Sequence, residues 1–213
     1  MTARTRIKVC GMTDMAEANG LVAAGVDALG FIFVEASPRN VVPEKAREII
    51  ANLPPFVDAV GVFVDQELEV VNEIVKYCGL TMVQLHGSES PQYCEEVNAR
   101  VVKTFSIRPD VEVSETNPFY DPYLETVSGI LLDTFHEKIA GGTGQTFDWD
   151  MIKKCRPSVP LILAGGLNPE NIGDAIRQVR PFAVDVNSGV EISPGVKDIG
   201  AVERLVDAVR AAG

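Results

Sequence analysis

A chain of 213 residues, 46% of them hydrophobic, has ample apolar mass for a sizeable core. Its formal net charge of −11, with no basic block along the chain, excludes nucleic acid as a partner. No apolar run approaches the ~20 residues of a membrane span, and the opening MTARTRIKV lacks the apolar segment of an export signal, so a cytoplasmic protein without membrane attachment is expected.

Apolar, β-branched runs alternate with longer amphipathic segments from end to end. Strands are predicted near 8–10, 28–34, 59–64, 82–85, 101–105, 129–133, 160–164 and 183–187. Runs such as ALGFIFV, AVGVFV and GILLD are almost continuously apolar, as expected of parallel strands buried on both faces. Helix starts are signalled between them. Thr13-Asp14 precedes MAEANGLVAAG, Pro43 opens PEKAREIIANL, Ser90-Pro91 begins PQYCEEV, and Asn168-Pro169 begins PENIGDAIRQV. A last helix is expected from 198 to 212. The connection 106–127 is rich in Pro, Asp and Asn, and only FYDPYLETV within it has helical character.

Eight strand–helix units imply a parallel sheet with right-handed crossovers. Their regularity favours a closed (β/α)8 barrel, an α/β TIM barrel of near-minimal length, over an open doubly wound sheet. No linker splits the chain, so one domain is expected over residues 1–213.

In such a barrel the site lies at the C-terminal strand ends and the loops that follow. Polar residues that end apolar strands therefore become candidates: Cys10, Arg39 in the loop after strand two, His86, Asp133, Asp185 and Asn187. Cys10 reads either as a small buried hydrophobe or as a thiolate aimed into a site. The other cysteines, Cys78, Cys94 and Cys155, fall on expected helices as structural thiols. None of the four has metal-ligand spacing, and all are read as free. Three glycine-rich segments stand beside the candidates: residues 141–146 after strand six (with Gly142 and Gly144), Gly165-Gly166 after strand seven, and Ser188-Gly189 after strand eight. The last two occupy the positions where barrels bind phosphate through main-chain N–H groups. An anionic ligand would be repelled by the global field, so cations must be concentrated locally.

The segments KVCGMT, ALGFIF followed by SPR, VGVFV, VQLHG, LLDT, GGTGQTFDW, AGGLNPENI and FAVDVNSGVEISPGVKD run in one order from Lys8 to Asp198. In that order they resemble the phosphoribosylanthranilate isomerase family of tryptophan biosynthesis. The resemblance implies an Amadori rearrangement of a phosphoribosyl aminoaldose, without metal or organic cofactor. It implies Cys10 as general base, Asp133 as general acid and Arg39 as the clamp on the anthranilate carboxylate. Asp185 would orient Arg39 or meet the anthranilate amine. His86 would line the site, and Gly142, Gly144, Gly165, Gly166, Ser188 and Gly189 would hold phosphate. Gln84, which shares the strand parity of His86, is read as filling the barrel interior and is counted with the substrate-binding residues. Strand parity puts Lys8 on the face of Cys10, which suggests an electrostatic pull toward thiolate. Phe147 and Trp149 read as packing anchors and the loop 141–145 as a mobile lid. Other readings stay open: an indoleglycerol-phosphate synthase-like enzyme, a histidine-pathway aminoaldose isomerase, or a barrel that senses a phosphosugar without catalysis. The partner in each case is a small phosphosugar. Oligomeric state is not legible.

Overall fold

A computed structural model describes residues 4–107, 119–133, 152 and 156–213. Eight strands close into a parallel barrel in sequence order: β1 (Arg6–Cys10), β2 (Ala28–Ile32), β3 (Asp58–Phe63), β4 (Met82–Leu85), β5 (Arg100–Ser106), β6 (Gly129–Asp133), β7 (Leu161–Ala164) and β8 (Ala183–Val186). Closure is made by β1 against β8, with Ile7 opposite Val184 and Lys8 opposite Asp185. All eight expected strands are present, and this is the expected barrel. Strand two stops at Ile32 rather than residue 34, and strand eight at Val186 rather than residue 187.

Helices fill the connections: α1 (Met15–Ala24), α2 (Pro43–Ala51), α3 (Leu68–Cys78), α4 (Pro91–Glu96), α5 (Ile172–Val179) and α6 (Ile199–Ala212). Their starts follow local chemistry. The Asp14 side chain accepts from the N–H groups of Ala16 and Glu17, Ser90 accepts from Tyr93, and Asp198 accepts from Ala201. Helix α5 is shorter than its sequence suggests. The Asn168 carboxamide oxygen takes the N–H groups of Glu170 and Asn171, so Pro169 begins a turn and the helix starts at Ile172. In FYDPYLETV, a 3-10 turn at Asp121–Tyr123 replaces the expected helix. The sequence gives no hint of a further hairpin, β9 (Glu191–Ser193) with β10 (Val196–Lys197), which turns through Gly195 at φ 83°.

The two faces of each strand bury different things. Ile7, Val9, Leu29, Phe31, Phe63, Ile130, Leu132 and Val184 point outward into the main core with Leu21, Ile49, Val71, Ile176 and Leu205 of the helices. Val102, Leu131, Ile162, Ala164 and Ala183 form a separate cluster inside the barrel. Each large apolar side chain so buried contributes roughly 1.5–3 kcal/mol. This rigid stave structure fixes where the strand ends stand. Among the described residues, no helix is long and apolar enough to cross a membrane.

Candidate active site

At the C-terminal end of β1 the inward parity carries Lys8 and then Cys10, both buried. Room for the sulfur comes from Gly30, the register partner of Cys10 on β2: a Cβ built there would lie 2.7 Å from Cys10 Sγ. The chain then turns away through Gly11 at φ 85°, whose N–H bonds Gly30 O at 2.9 Å. Burial pushes the Cys10 thiol above its ordinary value. The ammonium of Lys8 pulls it back, and the carboxylate of Asp185 pushes it up. Lys8 in turn feels burial, which disfavours its charge, but Asp185 and Cys10 outweigh that and its value is raised. Lys8 Nζ lies 2.7 Å from Asp185 Oδ2, while Asp185 Oδ1 is buried without a hydrogen-bond partner. An unpaired buried carboxylate oxygen is costly, and a ligand N–H placed against it would satisfy it.

Asp133 ends β6 across the mouth, half-buried, and His86 follows β4 with Nε2 3.7 Å from Asp133 Oδ2. Burial lowers the His86 imidazole, against the pull of the Asp133 and Asp185 carboxylates. Below them Gln84 is 3% exposed and lies between the mouth and the barrel interior.

Arg39 is held by Glu191, not by Asp185. Arg39 Nε lies 2.9 Å and 3.1 Å from the two Glu191 oxygens, and Nη2 lies 2.6 Å from Oε2. Glu191 Oε1 also takes Lys197 Nζ at 2.6 Å, and Lys197 bonds Asn187 Oδ1 at 3.0 Å. Burial opposes ionisation of Glu191, but the bonds from Arg39 and Lys197 hold its pKa down to about 2. One carboxylate thus serves two cations, and the group keeps one net positive charge. The β9–β10 hairpin exists to bring these groups together, since Glu191 and Lys197 are its paired ends. Sequence reasoning missed both residues, although each stands in the quoted run SGVEISPGVKD.

The glycine loops close the far side. Gly165 and Gly166 adopt φ 95° and 63°, and Asn171 Nδ2 braces the Gly166 carbonyl at 3.0 Å. A Cβ at Gly189 would collide with the carbonyl oxygen of Leu167, so a glycine there lets the two loops touch. A single cavity of about 590 Å³ is lined by Cys10, Arg39, Gln84, His86, Asp133, Gly165, Gly166, Asp185, Asn187, Ser188 and Gly189. It brings together every expected site residue that is described. Gly142 and Gly144, the loop 141–145, Phe147, Trp149 and Cys155 lie outside the described residues. Among those described, no group of His, Cys, Asp and Glu is arranged to hold a metal ion.

The family model for N-(5'-phosphoribosyl)anthranilate isomerase matches residues 7–208. The N-(5'-phosphoribosyl)anthranilate isomerase of Geobacter sp. (strain M21) is 48% identical over 202 residues, covering 95% of this chain and 96% of that protein. The crystal structure of the Thermotoga maritima phosphoribosyl anthranilate isomerase superposes with a TM-score of 0.84 at 41% identity, over 97% of this chain and 99% of that one. A phosphoribosyl anthranilate isomerase in complex with reduced 1-(o-carboxyphenylamino)-1-deoxyribulose 5-phosphate gives 0.81 at 39% identity, with the same coverage of both chains.

Proposed function

The chain belongs to the N-(5'-phosphoribosyl)anthranilate isomerase family and is an enzyme of that kind, and we propose that its Cys10 and Asp133 perform the isomerisation as base and acid. The observation that carries this assignment is the shared cavity: a thiol, a carboxyl, a guanidinium and two glycine loops face one space of about 590 Å³. That is the ordinary size for a small-molecule site.

The proposed chemistry follows from what each group holds. The Asp133 carboxyl gives its proton to the ribose ring oxygen as the C1–O bond breaks, and the anthranilate nitrogen lone pair forms the C=N bond of a Schiff base. Cys10 as thiolate then takes the proton from C2. The electron pair moves into the C1–C2 bond and the C=N electrons return to nitrogen, giving an enolamine. The Cys10 thiol then returns its proton to C1 while the C2 hydroxyl gives its proton to the Asp133 carboxylate. The C1–C2 π pair forms the new C1–H bond, the C2–O bond becomes the ketone of the 1-amino-1-deoxyketose, and thiolate and carboxyl are restored. Because burial favours the neutral thiol, Lys8 is needed to make the thiolate accessible.

Binding is divided among the remaining groups. Glu191 grips Arg39 through Nε and Nη2, and among the described residues no partner bonds Nη1, so that nitrogen is the one offered to the anthranilate carboxylate. Asp185 Oδ1 accepts the anthranilate N–H. Main-chain N–H groups near Gly165, Gly166, Ser188 and Gly189 take the phosphate; the first of these loops turns through Gly165 and Gly166, both at positive φ, and all four residues line the cavity. An indoleglycerol-phosphate synthase-like reading is disfavoured because the ammonium of Lys8 is buried against Asp185. Freshly prepared phosphoribosylanthranilate mixed with the protein should show a catalysed change in anthranilate fluorescence. Arg39→Ala should raise KM roughly tenfold or more with a smaller loss of kcat. No catalysed change with the unaltered chain overturns the reading.

A further inference from the structure

One buried ion pair near the mouth has no place in that chemistry. Lys103 of β5 has the parity of Val101, which faces the helices, and not that of Val102, which faces the barrel interior. Its Nζ lies 3.2 Å from Glu89 Oε2, and both side chains are 2% exposed. A buried pair is weak evidence for stability, because apolar residues of similar volume often do as well or better. Its other bonds point elsewhere. Lys103 Nζ donates to the carbonyls of Leu85 at 3.4 Å, Gly87 at 2.7 Å and Thr104 at 3.3 Å. Glu89 accepts the N–H of Gly87 at 3.0 Å and that of Asp65 at 2.9 Å. The main chain on both sides of His86 therefore ends on this one pair.

The surroundings stiffen the same point. His86 N–H bonds Phe63 O at 2.9 Å. Asp65, at φ 47°, takes the Ser88 N–H on Oδ1 at 2.6 Å and crowds Gly87 so closely that no Cβ fits there. Tyr123 donates to Glu89 O at 3.0 Å, and the Phe105 ring lies 5.2 Å from Lys103 Nζ. Four chain segments converge on the backbone that presents one imidazole.

We propose that Glu89 and Lys103 are positioning residues for the isomerisation: they lock the backbone around His86 so that its ring stands against the Asp133 carboxyl. Neither is among the residues that line the cavity. The inference rests on Asp133 being the acid. A donor displaced by about 1 Å loses on the order of a hundredfold in rate, which is the effect such a lock prevents. Among the described residues, the charged groups that act most on His86 are Asp133 on β6, Asp185 on β8, Lys8 on β1 and Lys103 on β5. Removing Lys103 alone would change its titration by charge, so the test pairs it with Glu89 and leaves the net charge of the couple at zero.

The double variant Glu89→Gln/Lys103→Met is compared with the unaltered chain, with His86→Ala and with the triple variant. The expected result is a fall in kcat of roughly ten- to a hundredfold, with KM held within about threefold. In the His86→Ala background the same pair of changes should cost less than about twofold more, since residues acting through one group are not additive. The chain has two histidines, so the His86 ring resonances are assigned by their loss in His86→Ala. In the double variant those resonances should titrate closer to the ordinary value of ~6.5 as the ring moves toward water. An unchanged kcat in the folded double variant, or a fully additive loss with His86→Ala, overturns the proposal and leaves the pair a structural one. If the double variant fails to fold, Lys103→Met alone carries the kcat comparison and its additivity with His86→Ala, because it removes the three bonds to the loop carbonyls while Glu89 still accepts from Asp65 and Gly87; the titration is then not read, since the charge changes. A chain without turnover would sink the Asp133 assignment instead, while the His86 titration would still report on the positioning.

Discussion

At the level of single residues, burial does not distinguish Cys10 from Cys78 and Cys94; its neighbours do. Burial pushes Cys78 and Cys94 each up to about 11, and Cys78 spends its S–H on the Pro43 carbonyl. Cys10 is also raised by burial, but it has Lys8 beside it and opens into the cavity. The profile of Cys10 alkylation rate against pH should therefore move to higher pH in Lys8→Met, because the ammonium goes and Asp185 is left unpaired. An unaltered profile would remove Lys8 from the mechanism. That Cys10, His86, Asp133 and Asp185 line the cavity was legible because each has the inward parity of an apolar strand, at the end where barrels work. Glu191 was not legible as the holder of Arg39: 152 residues separate them, and no local pattern records that contact. Lys103 was equally hidden. A lysine on a core-facing parity means little until the loop carbonyls it reaches are known.

Elements were read better than their ends. Strands announced themselves through two-sided hydrophobicity, and three of the six described helices through a capping side chain at Asp14, Ser90 or Asp198. The start of α5 was misplaced because Asn168 uses its carboxamide on Glu170 and Asn171 to make a turn before the helix begins. The β9–β10 hairpin was missed because its strands are only three and two residues long, too short for any period to show. What no periodicity conveys is the fit between neighbouring strands. Gly30 belongs to the run ALGFI, yet its lack of a side chain is what seats the Cys10 thiol. Gly30→Ala should displace the sulfur, lowering kcat by roughly ten- to a hundredfold while costing about 1–3 kcal/mol of stability from overpacking. A Gly30→Ala enzyme with full kcat would show that the position of the sulfur is not critical.

Across the whole molecule the charges are arranged against the overall field. A chain of net charge −11 collects Lys8, Arg39, Lys103 and Lys197 around one barrel mouth, each held by a carboxylate. Lys8–Asp185 and Lys103–Glu89 are balanced, so the residual positive charge lies with Arg39, Lys197 and their shared Glu191. It answers the expectation that an anionic ligand, repelled by the overall field, needs positive charge concentrated locally. It also couples the site to stability. Glu191 keeps its charge in the folded chain down to about pH 2, whereas an unfolded glutamate is protonated near ~4.3. Its contribution is therefore complete above about pH 5 and is lost as pH falls from there toward 2. The urea midpoint of the unaltered chain should fall more steeply over that interval than that of Glu191→Gln. Equal slopes would mean that Glu191 is not held ionised by its partners.

The pairing of Cys10 with Asp133 is tested most directly by the turnover of Cys10→Ala and Asp133→Asn on phosphoribosylanthranilate, followed by anthranilate fluorescence beside the unaltered chain. Each variant should bind the substrate with an affinity within roughly threefold of the original and lose at least about a hundredfold in kcat. Near-normal kcat in either variant would contradict the division of acid and base between them.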